Sequence, residues 1–146
     1  MGGRMKDRRL FYKLSLAQHL LSKRMDFELD RTIGVRSVQL GAVFFLLKHD
    51  GCMLKELSAG LGLNNSAITT LVSRMEEASL LKKTACSVDG RSYRLYLTEK
   101  AKTLGQKALP LAKKFNAELC NGFSEKEIET VIRFLDSIMS IAKGKK

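Results

Sequence analysis

The stretch LKELSAGLGLNNSAITTLVSRMEEASLL, residues 54–81, decides the fold because it holds two short helical patterns separated by a tight turn. Apolar residues recur at helical spacing in both halves, at Leu54, Leu57 and Leu61 and then at Ile68, Leu71, Val72 and Met75. Gly62 lies between the two patterns, and Asn64 is a good N-cap for the second helix. Two brief helices joined by such a turn predict a helix-turn-helix.

The second helix of this pair carries an unusual outer face. At about 100° per residue, the positions that point away from its apolar stripe are small and polar, with Thr69 at the margin. They are Ser66, Thr69, Thr70, Ser73 and Arg74. Such side chains let a helix sit deep in a DNA major groove, where they reach base edges or phosphates. An ordinary solvated face is the less favoured alternative, since such faces more often carry Lys and Glu.

A β-hairpin is predicted directly downstream, in the sequence SVDGRSYRLYLT of residues 87–98. The apolar period changes to two at Tyr93, Leu95 and Leu97, and Asp89-Gly90 is a strong hairpin-turn pair. Four cations lie in or beside it, at Lys82, Lys83, Arg91 and Arg94. An arginine at the tip suits a narrow minor groove, whose negative potential is enhanced. The alternative is a solvated hairpin without a ligand.

Helical patterns flank this region on both sides. The spacing predicts a long helix from Leu10 to Leu29, a mostly apolar helix capped by Ser37, and a turn at residues 49–51. Another helix is expected from about Glu99 to Leu119, with a kink or a break at Pro110. A capping box formed by Ser124 and Glu127 begins the last helix, which has a clean apolar stripe. The chain is therefore predicted to be mainly helical.

Composition favours a nucleic-acid partner. The chain has 146 residues, which fits a single domain, and 26 Lys and Arg against 15 Asp and Glu give a net charge of +11. Nucleic acid is the leading partner, and no membrane partner is expected because no apolar run approaches the roughly 20 residues of a bilayer span. The opening MGGRMK lacks a secretory h-region, which predicts a soluble, cytoplasmic protein. Whether Met1–Arg4 is native stays open.

Enzymatic and metal-binding readings find little support. An odd, scattered set of cysteines, Cys52, Cys86 and Cys120, argues against a disulfide framework. With His19 and His49 they offer no close pair of ligands, so neither a metal nor another cofactor is expected. No nucleophile-base pairing or phosphate loop is recognisable, and we expect no enzyme activity. Cys86 lies near Lys82 and Lys83, which could lower its thiol pKa, but a passive thiol is favoured.

The run from Leu54 to Thr98 resembles the winged helix-turn-helix of the MarR family of bacterial and archaeal regulators. The family's wing has the pattern Asp-x-Arg followed by a strand that ends in Leu-Thr, matched here by Asp89-Gly90-Arg91 and Leu97-Thr98. The helix order on both sides also agrees. The resemblance implies a mainly α (α+β) fold that forms one domain, residues 1–146. Within it, residues 36–99 would be the DNA-binding part, and residues 5–31 and 100–146 would be dimerisation helices.

The resemblance also implies roles for single residues. By this similarity Asp89 braces the wing through an arginine, and Arg91 enters the minor groove. Two positions depart from the family pattern. Thr70 stands where a basic residue is common, which leaves the base contacts open, and Ser79 replaces a frequent glycine at the end of the recognition helix, so its C-cap is expected to differ.

Small aromatic or anionic effectors are common in this family, in the crevice between the dimerisation and DNA-binding parts. Candidate lining residues are Phe11, Tyr12, His19, Phe44 and Phe45, for which plain core packing is the alternative. We therefore expect a sequence-specific regulator, a repressor more than an activator, acting as a homodimer on double-stranded DNA with a pseudo-palindromic operator. The alternatives are a non-specific architectural DNA-binding protein and a cysteine-based redox-sensing regulator.

Overall fold

The computed structural model describes residues 9–86 and 92–144, which are mainly helical with one small antiparallel sheet. The helices are α1 (Leu10–Thr32), α2 (Ser37–Lys48), α3 (Leu54–Leu61), α4 (Asn65–Glu77), α5 (Glu99–Cys120) and α6 (Glu125–Lys143). The strands are β1 (Cys52–Met53), β2 (Leu81–Ala85) and β3 (Tyr93–Leu97), in the order β1-β3-β2. This is the element order of a winged helix-turn-helix, and the predicted mainly α (α+β) class is confirmed.

The chain divides into two compact units, residues 1–108 and 109–146, with the boundary inside α5. The first unit contains the core. Its largest fully buried side chains are Leu29, Val43, Leu46, Leu57, Ile68, Val72, Met75, Leu80 and Leu95. These residues come from α1 to α4, β3 and the turn before β2, so a single core holds the helix-turn-helix and the base of the wing.

The second unit consists of the end of α5 and all of α6, and none of residues 109–144 is buried. The predicted capping box begins α6: the backbone N–H of Ser124 donates to Glu127 Oε2 at 2.8 Å, and the backbone N–H of Glu127 donates to Ser124 Oγ at 3.2 Å. The apolar stripe that follows is largely exposed. Across residues 9–86 and 92–144, no helix has the length and apolar character needed to cross a bilayer.

The prediction that Ser37 caps α2 was wrong, because the N-cap is Arg36. The backbone N–H of Arg36 donates to Oε1 of Gln39 at 3.1 Å. Ser37 is the first residue of the helix, and its backbone N–H donates to Oδ1 of Asp26 on α1 at 2.6 Å. A carboxylate is a stronger acceptor for a first-turn N–H than a neutral serine hydroxyl. A residue from a neighbouring helix therefore fills the capping role.

Pro110 does not break α5, which runs from Glu99 to Cys120 with the proline inside it. A proline removes one backbone donor and crowds the preceding turn. The turns before it are held by buried small residues at helical spacing, Ala101, Gly105 and Ala108, which pack within the first unit. Tertiary packing of this face keeps the helix formed up to the proline.

Candidate nucleic-acid interface

The helix-turn-helix forms as predicted, with α3 and α4 joined at Gly62, Leu63 and Asn64. Gly62 adopts φ +65°, a left-handed conformation that ends α3. The hydroxyl of Ser58 donates to the carbonyl of Leu63 at 2.6 Å and stabilises the turn. Asn64 Oδ1 then accepts from the backbone N–H of Ala67 at 2.9 Å, so the predicted N-cap is confirmed.

Helix α4 has one buried face and one exposed face. The buried residues are Ile68, Leu71, Val72 and Met75, which belong to the core of the first unit. The residues that the sequence assigned to DNA are all exposed: Ser66, Thr69, Thr70, Ser73 and Arg74. The structure therefore brings these five side chains together on one accessible surface. Their contact with DNA stays a prediction.

The two threonines of this face bond back onto their own helix. Thr69 Oγ1 donates to the carbonyl oxygen of Asn65 at 2.7 Å, and Thr70 Oγ1 donates to that of Ser66 at 3.0 Å. Hydroxyl groups in helices commonly bond to the carbonyl four residues earlier. As a result, neither hydroxyl proton is directed outward from the exposed face.

A cavity of about 480 Å³ borders this face. Its lining from α4 includes Ala67, Thr70, Leu71 and Arg74, and the end of α1, the α1–α2 loop and the start of α2 contribute Asp30, Gly34, Val35, Arg36, Val38 and Gln39. Arg36 and Arg74 therefore line one concave surface beside the recognition face, together with the acidic Asp30. Arginine is suited to bidentate contact with a DNA phosphate, whereas the carboxylate of Asp30 opposes an anion.

The wing strands pair in register from Leu81 opposite Leu97 to Ala85 opposite Tyr93. On β2, Lys83 Nζ lies 3.0 Å from Glu76 Oε1 of α4 and 5.5 Å from the centre of the Tyr93 ring. Lys82, its neighbour, is exposed. One of the two predicted lysines, Lys83, therefore ties the wing to the recognition helix.

Arg94, the cation predicted on β3, bonds to a turn that follows α2. Its guanidinium donates to the carbonyl oxygen of Gly51 at 2.9 Å. The backbone N–H of Leu97 donates to Asp50 Oδ1 at 3.0 Å, and β1 pairs with β3 beside these contacts. Sequence reasoning identified residues 49–51 only as a turn and missed Asp50 as a residue that holds β3. The Asp-Gly pair was the available signal.

The wing tip, with Asp89, Gly90 and Arg91, lies outside the described residues. The bracing role of Asp89 and the minor-groove role of Arg91 therefore stay predictions. The strands on either side of the tip are in place, with the backbone N–H of Cys86 donating to the carbonyl of Ser92 at 2.7 Å. The predicted hairpin is thus observed up to its tip.

The predicted effector residues lie on α1 and α2. Phe11, 86% exposed, Tyr12 and His19 are exposed on α1. On α2, Phe44 and Phe45 are half-buried, and the Phe45 ring lies 4.5 Å from the ring of His49. Phe45 also covers Gly60, where a Cβ would overlap its ring. This packing accounts for Phe45 as a structural contact, and the ligand role of all five stays a prediction.

The environment of Cys52 opposes a thiolate. Burial raises the pKa of the Cys52 thiol, and the negative charges of Glu56 and Asp50 raise it further. A reactive cysteine needs the opposite, a lowered pKa and an electropositive setting. Cys86, directly after β2, and Cys120 are half-buried free thiols. In the described residues no group of three His, Cys, Asp or Glu side chains could hold a metal ion.

Residues 33–92, which include α2 to α4 and the strands, match the family model described as MarR family. The winged helix of this chain belongs to the MarR family. Its function class is accordingly transcription regulation. The wing pattern and the helix order that resembled MarR proteins in the sequence therefore led to the correct family.

Solved structures extend the likeness over almost the whole chain. The MarR/EmrR family transcriptional regulator from Acinetobacter sp. ADP1 matches with a TM-score of 0.86 at 21% identity, over 94% of this chain and 97% of that one. S. aureus MepR, solved as a DNA complex, matches with a TM-score of 0.82 at 18% identity, over 92% of this chain and 98% of that one. PcaV from Streptomyces coelicolor, solved with its natural ligand, matches with a TM-score of 0.76 at 22% identity, over 97% of this chain and 95% of that one. At these identities the likeness establishes the fold.

Proposed function

We propose that this MarR-family chain regulates transcription by binding double-stranded DNA with sequence specificity, as a homodimer on a pseudo-palindromic operator. The observation that carries the proposal is the exposed face of α4, where hydroxyl-bearing side chains and Arg74 lie together beside a wing. A helix with small polar side chains enters a major groove closely enough to contact base edges. MepR, which shares the fold, was solved with DNA bound.

The cations of the wing supply the phosphate contacts in this proposal. Lys82 is exposed on β2, and Lys83 would exchange the carboxylate of Glu76 for a phosphate on binding. Arg94 lies on the adjacent strand, and Arg91 is assigned to the minor groove by its resemblance to the MarR wing-tip arginine. The net charge of +11 attracts DNA over a longer range.

A homodimer follows from two arguments. One recognition helix reads only a few base pairs, so two copies are needed for a specific site of ordinary length. The flanking helices also leave large apolar side chains exposed, among them Phe27 on α1 and Ile132, Met139 and Ile141 on α6. Large apolar side chains left exposed on a helix are suited to a protein interface. We assign dimerisation to residues 5–31 and 100–146. The partner is a second copy of the chain.

Such a dimer would act as a repressor when its operator overlaps a promoter, because it would occlude the polymerase. Release by a small aromatic or anionic effector is part of the proposal, since PcaV was solved with a natural ligand. An effector must bind the form with low DNA affinity more tightly than the other form. The five aromatic and histidine side chains of α1 and α2 remain the candidate lining.

Selection from a pool of random duplexes, at near-physiological salt, tests this function with the full chain. We expect enrichment of a pseudo-palindrome whose half-sites lie about one helical turn apart. Arg91→Ala should bind the selected duplex more weakly without unfolding. A pool that shows no enriched motif would contradict sequence-specific binding and leave non-specific attraction by charge as the explanation.

A further inference from the structure

The exposed face of α4 shows what kind of base contact it can make. Measured from Ser66 at about 100° per residue, Ser66 and Ser73 lie at the middle of the face, and Thr69 and Thr70 lie on either side of it. All four are exposed. The exposed positions between Ser66 and Ser73 carry no amide, carboxylate or cation. The bidentate amide contact to adenine and the cationic contact to guanine are therefore absent from this central part.

The hydroxyls of Thr69 and Thr70 are engaged within the helix, bonded to the carbonyls of Asn65 and Ser66. Besides a hydrogen, the Cβ of threonine carries one other group, a methyl. Because both residues are exposed, the methyl is the group left for contact with a ligand. Ala67 is half-buried between these residues and adds a third methyl, lining the same cavity as Thr70. Threonine and alanine methyl groups are among the side chains that contact the C5-methyl of thymine in the major groove.

We propose that Thr69 and Thr70 are specificity-determining residues that select thymine in the operator through contact between their methyl groups and its C5-methyl. This inference rests on the proposed DNA-binding function and adds the base class that the helix selects. The threonines act here by apolar contact, and their hydroxyl oxygens are not the reading groups. Arg74, at the edge of the face, is left to phosphate or guanine.

The test compares two random duplex pools, one prepared with thymidine and the other with deoxyuridine in its place, which removes only the C5-methyl. The full chain is used at fixed salt. We expect an enriched motif with thymines at fixed half-site positions in the first pool. In duplexes from that pool, replacing one contacted thymine by deoxyuridine should weaken binding roughly threefold to fivefold, the effect of about one methylene-sized apolar group.

Side-chain variants connect that effect to these two residues. The double variant Thr69→Ser, Thr70→Ser keeps both hydroxyls and loses both methyls. Its ratio of affinity for the thymine duplex to affinity for the deoxyuridine duplex should be close to one. The double variant Thr69→Val, Thr70→Val keeps a methyl at each site without the hydroxyl, and should retain the wild-type value of this affinity ratio. Thr130→Ser on α6 is the matched control, because Thr130 makes the same type of bond, to Lys126, on another helix.

Each outcome of the two-pool experiment decides a claim. Methyl recognition is supported if deoxyuridine substitution lowers the affinity of the wild type, the valine variant and the Thr130 variant, but not that of the serine variant. An enriched motif whose affinity is indifferent to deoxyuridine, or a loss that persists in the serine variant, overturns it while leaving sequence-specific binding intact. If the valine variant binds thymine and deoxyuridine duplexes equally well, the hydroxyl oxygens and not the methyl groups contact the bases, which also overturns methyl recognition. Absence of any motif in both pools contradicts the proposed function itself.

Discussion

The hydroxyl of Thr98 donates to the carbonyl oxygen of Ser79 at 2.7 Å and accepts from the backbone N–H of Ala101 at 3.1 Å. Thr98 thus caps the start of α5 and holds the turn that ends the recognition helix. Ser79 adopts φ +59°, in the left-handed region where the family often has glycine. Lys100 adds a contact to the same turn, donating from Nζ to the carbonyl of Ala78 at 2.9 Å.

Thr98→Val should lower the free energy of unfolding by about 1 to 2 kcal/mol, because it removes both a helix cap and a donor to Ser79. Urea denaturation of the full chain measures the change. Thr98→Ser keeps the hydroxyl and should lose much less. Equal stability of the valine and serine variants would show that the hydroxyl contacts contribute nothing.

Gly51→Ala should destabilise the protein more than Gly34→Ala. Both glycines have positive φ, +83° and +68°, so both alanines carry the left-handed penalty of about 1 kcal/mol. A Cβ at Gly51 would also lie 3.0 Å from Cε1 of Tyr96, whereas nothing lies within 4 Å at Gly34. The Tyr96 ring must then move by a few tenths of an ångström, so we expect a further loss of about 1 kcal/mol, measured by thermal unfolding. Matching losses for the two variants would contradict the packing of Tyr96 on this turn.

Glu76→Gln should strengthen binding to a random duplex by several-fold at low salt. The substitution removes a carboxylate beside the exposed face and releases Lys83 for a phosphate. The gain in affinity, measured by fluorescence anisotropy, should exceed that of a charge-matched control, because wild-type Lys83 must give up Glu76 before it contacts a phosphate. Glu129→Gln on α6 makes the same change in net charge and is that control. If both variants strengthen binding equally, the pair of Lys83 with Glu76 does not compete with a phosphate.

Ile132→Glu should convert the proposed homodimer to a folded monomer. Ile132 is 53% exposed in the single chain, so its replacement costs little within one copy but places a charge in the proposed interface. Sedimentation equilibrium should show a dimer dissociation constant raised by at least about a hundredfold, a typical cost at an interface hot spot. Ser137→Glu, also exposed and about 140° away around α6, is the control. Equal dimerisation of both variants would exclude this face.

Local patterns predicted most of the fold. The apolar spacing of α4, the Asn64 cap and the capping box at Ser124 are all set by residues close in sequence, and the structure has each of them. The cap of α2 failed because its partner, Asp26, comes from another helix. Strand β1 was not predicted, since two residues give no alternation and Cys52 and Met53 form a strand only by pairing with β3.

The candidate site was predictable in its faces but not in its contacts. Helical geometry alone placed Ser66, Ser73 and Arg74 outward. The burial of Ile68 and Met75 fixes the rotation of α4. The bonds of Lys83 to Glu76 and of Arg94 to Gly51 join segments that meet only in the folded chain. The back-bonding of Thr69 and Thr70 depends on a side-chain torsion that the sequence does not specify.

Sequence-specific recognition by α4 is measured by the ratio of specific to non-specific DNA affinity. The full chain is titrated at one near-physiological salt concentration with a duplex recovered by selection and with the same duplex after its half-sites are scrambled. We expect a ratio of at least about 10³, as for specific DNA-binding proteins. A ratio within about tenfold of one would contradict it and would mean that the positive charge of the protein, not its recognition helix, accounts for DNA binding.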